Sequence, residues 1–243
     1  MISKTKLKLI KSLKYKKTRD DLNLFLVEGL KGILEVNNSK YKIIFTVVSN
    51  EIFKKHKNDL PKSNLYVVDA EEINKYSLLK KNNIGFCVVE LIPHKFSLEK
   101  LENITIALDS ISDPGNLGTI IRNADWYGIK NIICSRNTVD FYNPKVIQSS
   151  MGSFTRVNVF YEDLDKVFNN NIYVIGTTLD QNKVNNFKGI KTGVILFGNE
   201  SKGISKKLEN YISDWISIER IGSAESLNVS VSSGIILEKL LNS

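Results

Sequence analysis

The chain is poor in the residues that carry most acid–base, redox and metal chemistry. It has two histidines, His56 and His94, and two cysteines, Cys87 and Cys134, among 243 residues. The histidines lie far apart in sequence and no CxxC occurs. A structural zinc site is therefore not expected, and chemistry in the C-terminal half must proceed without an imidazole. Both cysteines fall in apolar, strand-like runs, which suits buried thiols in a reducing compartment, though the sequence leaves a single disulfide open. No apolar run approaches the roughly 18 residues of a membrane span. Also missing are GxxxxGK[ST], a GxGxxG after a strand, and GxSxG. A P-loop, a standard dinucleotide fold and a hydrolase nucleophile elbow are thus unsupported. These absences lead us to expect a cytoplasmic protein with neither metal nor membrane among its partners.

Charge is present but unevenly placed. Of 34 basic residues, eight lie in residues 1–19 with no acid among them, and the other 26 equal the 26 acids of the remainder. The whole excess of +8 therefore sits at the N-terminus. Such an arm attracts polyphosphate through counterion release, which makes nucleic acid the leading partner. Lys11, Lys14, Lys16, Lys17 and Arg19 are the candidate RNA contacts. A lysine-decorated helix and an organelle transit segment are the other readings of this arm; a transit segment would favour arginine over lysine, and the arm has one arginine.

The apolar pattern of the first half alternates strands (23–27, 42–49, 65–68, 84–91) with helices after Gly29 and Asp69, as in a small α/β domain. Pro93 and the polar residues through Asn103 make a natural boundary. The expected division is a first domain over 1–97 and a second domain over 98–243. The second half places strands at 104–108, 131–134, 173–176, 194–197 and 215–218, with helices near 117–127, 144–150, 163–169, 205–211 and 228–241. This alternation implies a parallel sheet covered on both faces, whose ligands bind at the carboxyl ends of its strands.

Three loops at those ends are unusual. After 104–108 comes DPGNLG, in which Asp113, Pro114 and Gly115 break regular structure and Asn116 can cap the helix that follows. Leu117, Ile120, Ile121, Ala124 and Tyr127 then form one apolar stripe. Arg122 projects about 140° from Leu117, and Trp126 lies roughly opposite the stripe. An asparagine cap with a solvated arginine is the plain reading of this stretch alone. After 194–197 comes GNESKG, and after 215–218 comes RIGSAESLN, whose Ser226 and Asn228 can cap the last helix.

Taken together, these loops resemble the SpoU/TrmH family of RNA ribose 2′-O-methyltransferases. Asn116, Gly118 and Arg122 match the family's first motif; Gly198, Asn199, Glu200 and Gly203 match its second; Ser226, Leu227, Asn228, Val229 and Ser230 match its third. Phe25, Val27, Glu28 and Gly29 match the entry of the family's N-terminal substrate-binding domain, so the resemblance spans nearly the whole chain. One departure stands out: Glu219 and Arg220 follow Ile218 where the family usually has Pro-Met.

The resemblance implies an α/β trefoil-knot domain with a parallel sheet behind a small α/β RNA-binding domain. It also implies a homodimer formed through the C-terminal domain, with S-adenosylmethionine as cofactor. The reaction it implies is methyl transfer to a ribose 2′-hydroxyl of structured RNA, with 23S rRNA favoured and tRNA the alternative. A catalytically inactive RNA-binding protein on the same scaffold and a nucleotide-binding regulator on another α/β fold are the competing classes. By the same resemblance, Asn116, Arg122, Glu200 and Asn228 are the catalytic set. Arg122 would act on the 2′-oxygen and a substrate phosphate, Asn116 and Glu200 would orient Arg122 or the substrate, and Asn228 would organise the pocket. Backbone near Thr177, Gly198, Ile218, Ser226 and Leu227 would hold the cofactor. Ser230, Ser232, Ser233 and Gly234 would allow close packing of the last helix.

Overall fold

The computed structural model describes residues 3–101, 103–180 and 190–241. Its elements run α1 (Lys4–Ser12), α2 (Lys16–Leu22), β1 (Leu24–Glu28), α3 (Leu30–Asn37), β2 (Ile43–Ser49), α4 (Asn50–His56), β3 (Leu65–Val68), α5 (Ala70–Tyr76) and β4 (Gly85–Glu90). They continue with β5 (Ile104–Leu108), α6 (Pro114–Trp126), β6 (Asn131–Ser135), α7 (Pro144–Ser149), β7 (Asn158–Glu162), α8 (Leu164–Phe168), β8 (Val174–Thr177), β9 (Gly193–Phe197), α9 (Lys206–Glu209), β10 (Asp214–Ile216) and α10 (Val229–Leu241). The chain forms two compact units, Met1–Pro93 with Tyr142–Thr155, and His94–Phe141 with Arg156–Ser243. The break thus falls after Pro93 rather than after residue 97, and a segment from within the second half belongs to the first unit.

That segment joins the first unit through aromatic packing. The Phe25 ring meets Tyr142 at 4.7 Å and Phe154 at 5.9 Å between centroids, and Tyr41 meets Phe154 at 5.7 Å. The Tyr142 hydroxyl donates to the Ile92 carbonyl at 2.9 Å and accepts from the Ile92 N–H at 3.2 Å. An aromatic with both its ring and its hydroxyl satisfied is a strong anchor.

The first unit's sheet has the order β1-β4-β2-β3, with β4 antiparallel to both neighbours and β2 parallel to β3. The basic N-terminus is not a loose arm. On α1, Leu7 and Ile10 recur at helical spacing, and with Leu13 they are buried in one cluster with Phe45, Val47, Phe86 and Val88. Each such side chain contributes about 1.5–3 kcal/mol on burial, so this segment is part of what holds the unit together. Arg19, expected to meet RNA, is buried instead, only 2% exposed. Its Nη1 donates to the carbonyls of Leu13 at 2.8 Å and Lys14 at 3.0 Å, bracing the corner between α1 and α2. A buried guanidinium with carbonyl partners is a brace and is withdrawn from the candidate contacts. Lys11, Lys14, Lys16 and Lys17 are exposed.

The second unit holds six parallel strands in the order β10-β8-β9-β5-β6-β7. β9 is buried along its whole length and β5 along all but its first residue, as parallel strands covered on both faces must be. Of these strands, β7 was not expected from sequence: its NVFYE run buries only Val159 and Phe160 and lies at the sheet edge. His94 packs edge-on against Phe141 and Phe160, at 6.0 and 6.1 Å between ring centroids. No helix among the described residues is long and apolar enough to cross a membrane. Cys87 and Cys134 are free and buried, and burial pushes both thiols well above their ordinary range.

Replacing Arg19 by alanine leaves two corner carbonyls without their donor and opens a cavity. The expected loss is about 2–4 kcal/mol in urea unfolding, whereas Lys17→Ala is expected to change stability by less than about 0.5 kcal/mol.

Candidate active site

Helix α6 begins three residues earlier than the sequence pattern suggests. Asp113, not Asn116, is its N-cap: the Asp113 Oδ1 accepts the Asn116 N–H at 3.0 Å, with Pro114 in the first turn. Asp-Pro is itself a start signal, because proline's missing N–H costs nothing in the first turn and its fixed φ suits the helix. With Asp113 as the cap, the Asn116 side chain is left for another task.

That task is a relay of hydrogen bonds through the three motif segments. The Asn116 Nδ2 donates to Glu200 Oε1 at 2.9 Å, and the Asn228 Nδ2 donates to Asn116 Oδ1 at 2.9 Å. The Asn228 Oδ1 in turn accepts the Ser230 N–H at 2.9 Å and the Ser230 hydroxyl at 2.6 Å, so Asn228 also caps α10. Ser226, the other expected cap, makes no such bond and is exposed. Asn116 is 9% exposed, and both ends of its amide are satisfied.

Glu200 is held from several sides. Its Oε2 accepts from the Ser112 hydroxyl at 3.2 Å, the Asn199 amide at 3.3 Å and the Ser112 N–H at 3.4 Å, and its Oε1 accepts from the Asp113 N–H at 3.4 Å. Partial burial pushes its pKa up, but the bond from Asn116 and the backbone donors outweigh that and leave it below the ordinary 4.5. The loop carrying it folds back on itself. Asn199 and Gly203 exchange two backbone bonds of 3.0 Å, and the Asn199 amide donates to the Ser110 carbonyl at 2.7 Å. A Cβ on Gly198 would lie 2.2 Å from the Gly203 carbonyl carbon, so only glycine fits this crossing. The far end is pinned by buried Asp109, whose Oδ2 accepts the Ser205 N–H at 2.8 Å.

Asn123, one helical turn after the region of Gly118 and Thr119, joins α6 to α10. Its Nδ2 donates to the Ser230 carbonyl and to the Ser233 hydroxyl, both at 2.8 Å. The two helices pack closely where Ser230, Ser233 and Gly234 face Asn123, while the Ser232 hydroxyl turns back to the Asn228 carbonyl.

The structure therefore brings Asn116, Glu200 and Asn228 together and leaves Arg122 outside the relay. Arg122 is exposed on α6 and makes no hydrogen bond or ion pair with any described residue. Neither Asn116 nor Glu200 bonds to it. Thr177 and the residues following β9 and β10, Gly198 and Ile218, stand at the carboxyl ends of strands that are neighbours in the sheet. Residues 219–228 are exposed throughout, including the apolar Ile221 and Leu227. Strand-end backbone beside a mostly polar loop that carries the apolar Ile221 and Leu227 suits a nucleoside, whose base needs both amide partners and apolar cover. Among the described residues no group of three or more His, Cys, Asp or Glu could hold a metal ion. The pattern reading missed Asp109, Asp113, Ser112 and Asn123. Only Asp113 carried a local signal, the Asp-Pro start; the others act through partners remote in sequence.

A fully parallel sheet with a polar relay across three strand-end loops defines an α/β enzyme whose chemistry sits at the strand carboxyl ends. Residues 103–238 match the SpoU rRNA Methylase family, and residues 4–83 match the MRM3-like substrate binding domain. This chain belongs to the SpoU family. It is 27% identical, over 97% of its own length and 95% of the relative's, to the 23S rRNA (guanosine(2553)-2′-O)-methyltransferase RlmP of Bacillus subtilis. It is 34% identical to the 23S rRNA (guanosine-2′-O-)-methyltransferase RlmB of Blochmanniella floridana over 55% of each chain. Among solved structures, the AdoMet-bound rRNA methyltransferase from Sinorhizobium meliloti superposes with a TM-score of 0.82 at 26% identity, covering 99% of this chain and 96% of that one.

The lowered pKa of Glu200 sets a pH test. A depressed carboxylate contributes stability above its unfolded value and loses it as pH falls through the lower folded value, so the relay outlasts the ordinary titration range of a glutamate and fails only at more acid pH. The side-chain amide resonances of Asn116 are expected to titrate with a midpoint below 4.5 in NMR, and Glu200→Gln is expected to abolish that titration.

Proposed function

We propose that this protein transfers a methyl group from S-adenosylmethionine to a ribose 2′-hydroxyl of ribosomal RNA. The observation that carries this reading is the relay Glu200–Asn116–Asn228, which unites residues of all three family motifs in one hydrogen-bonded unit. Two relatives named as 23S rRNA 2′-O-methyltransferases support ribosomal RNA over transfer RNA, and one of them matches nearly end to end. The AdoMet-bound relative supports the cofactor.

When bound, the cofactor supplies a methyl group on a sulfonium, a leaving group that needs no acid. What this chain must provide is alignment and a more nucleophilic ribose oxygen. Backbone at Thr177, Gly198 and Ile218, with Ser226 and Leu227, lines the cofactor's place. Glu200 is a positioning residue and not a proton acceptor, because its oxygens are occupied by donors and its charged form is favoured. Asn116 and Asn228 are positioning residues as well. Arg122 is the residue that meets substrate. A guanidinium offers only donors and no acceptor, so Arg122 holds a phosphate and stabilises charge developing on the 2′-oxygen rather than removing the proton. Its exposure, and the absence of a partner for it among the described residues, support a guanidinium available for RNA.

RNA is delivered by the first unit, where Lys11, Lys14, Lys16 and Lys17 are exposed. Lys16 pairs with Asp20 at 2.6 Å, but an exposed pair of this kind is weak and exchanges readily for phosphate. A second copy of this chain covers the pair α6 and α10, on which Trp126 is 84% exposed and Val231 and Ile235 are also open. The trefoil knot implied by the family belongs to the same reading, which is supported by the seating of α10 against α6, far apart in sequence. The buried free thiols are in keeping with a cytoplasmic location.

Arg122→Ala is expected to fold normally, to bind S-adenosylmethionine unchanged in calorimetry, and to slow single-turnover methyl transfer about 10²–10³-fold, the scale of a lost oxyanion donor. Arg122→Lys is expected to recover only part of that rate. A near-normal single-turnover rate in Arg122→Ala would rule the role out.

Sedimentation is expected to give a dimer at micromolar concentration, and Trp126→Asp to shift it to monomer. A wild-type monomer under those conditions would remove the second copy from the proposal.

A further inference from the structure

The corner between α1 and α2 presents one aromatic ring that the fold does not use. Tyr15 is 59% exposed. It occupies the N-cap position of α2, yet its side chain makes no capping bond. It has no aromatic neighbour and no side-chain hydrogen bond among the described residues; its one ring contact is with Lys14, whose Nζ lies 4.7 Å from the ring centroid. Other lysine–tyrosine contacts in this unit differ. Lys6 sits over the half-buried Tyr66, bonds its hydroxyl and also reaches Phe45, and Lys11 lies over the half-buried Tyr76. Those rings are packed into the unit, whereas Tyr15 stands clear of it.

The backbone beneath Tyr15 is fixed. Leu13 is fully buried, Arg19 bonds the carbonyls of Leu13 and Lys14, the Tyr15 N–H donates to the Ser12 carbonyl at 3.1 Å, and the Tyr15 carbonyl accepts the Arg19 N–H at 3.2 Å. An arginine is buried so that the two residues before Tyr15 cannot move. The ring therefore pays little ordering entropy when something stacks on it. Lys14 lies against it, and the exposed Lys11, Lys16 and Lys17 are within four residues of it in sequence and supply positive charge, Lys16 in an exposed pair with Asp20. An exposed aromatic among lysines is the composition of a single-strand nucleic-acid platform, where the cations track phosphate and the ring takes a base face.

We infer that Tyr15 is a stacking platform for an unpaired base of the RNA substrate, with Lys14 and its neighbouring lysines holding the flanking phosphates. The inference rests on the RNA-substrate reading above and adds to it a preference for unpaired over fully paired RNA. Paired bases offer no free face, so a duplex meets the lysines alone.

The test uses the full-length protein and two fluorescein-labelled RNAs with equal numbers of phosphates, one a hairpin with an unpaired loop and the other a blunt duplex. Anisotropy across a salt series is expected to show tighter binding of the hairpin by wild type. Tyr15→Ala is expected to weaken hairpin binding about tenfold and duplex binding by less than about twofold, with the salt slope unchanged. Tyr15→Phe is expected to bind as wild type, because the ring is what matters. Lys14→Ala with Lys17→Ala is expected to flatten the salt slope for both RNAs. Tyr15→Trp gives a direct signal: its fluorescence is expected to be quenched by the hairpin and not by the duplex. Equal weakening of both RNAs in Tyr15→Ala, or hairpin affinity within twofold of wild type, would overturn the platform while leaving the RNA reading intact. Failure of the wild type to bind either RNA would overturn both.

Discussion

A primary amide carries a donor and an acceptor on one planar group, and the second unit depends on that property of Asn116. Its Nδ2 faces a carboxylate and its Oδ1 faces another amide. Neither aspartate nor leucine of similar size could satisfy both neighbours, since aspartate would set acceptor against acceptor and leucine would leave both unpaired. Through this group the loop after β5, the loop after β9 and the N-terminus of α10 are held in one arrangement. Buried polar groups cost free energy when unsatisfied, so the buried Asn116 and Ser230 hold the exposed Glu200 and Asn228 in place along the chain Glu200–Asn116–Asn228–Ser230. Loops at the open end of a parallel sheet have no ladder of their own to keep them in place, and here side-chain amides take over that function.

The relay also separates two tasks that sequence alone runs together. Asn116, Arg122, Glu200 and Asn228 form one set in the motifs, but the structure bonds three of them to each other and leaves Arg122 exposed, with no bond to any described residue. The three anchor the loops, and the arginine takes no part in that anchoring. A comparable division runs through the basic N-terminus. Lys8, Lys11, Lys14, Lys16 and Lys17 are exposed, while its one arginine turns inward to brace a corner. Arginine suits that role because its planar, five-donor head can satisfy two carbonyls at once while its long stem packs against apolar neighbours.

The sequence by itself determined the strand–helix alternation, the parallel class of the main sheet, the start of strand β5 at Ile104 and the three loops that carry the motifs, because periodicity and Gly, Pro and Asn signals are local properties of the chain. It also located the charge excess and the exposed side of α6 that bears Arg122 and Trp126. Only the tertiary structure decided that residues 1–19 include a helix built into a core, that Asp113 rather than Asn116 caps α6, that Tyr142–Thr155 packs with the first unit, and that Asn116 reaches Glu200 and Asn228 across 84 and 112 positions of sequence. The physical reason is the same in each case. Whether a polar or charged side chain faces water, caps its own helix or bonds a distant partner depends on which other groups the fold brings within about 3 Å, and no window of neighbouring residues contains that information.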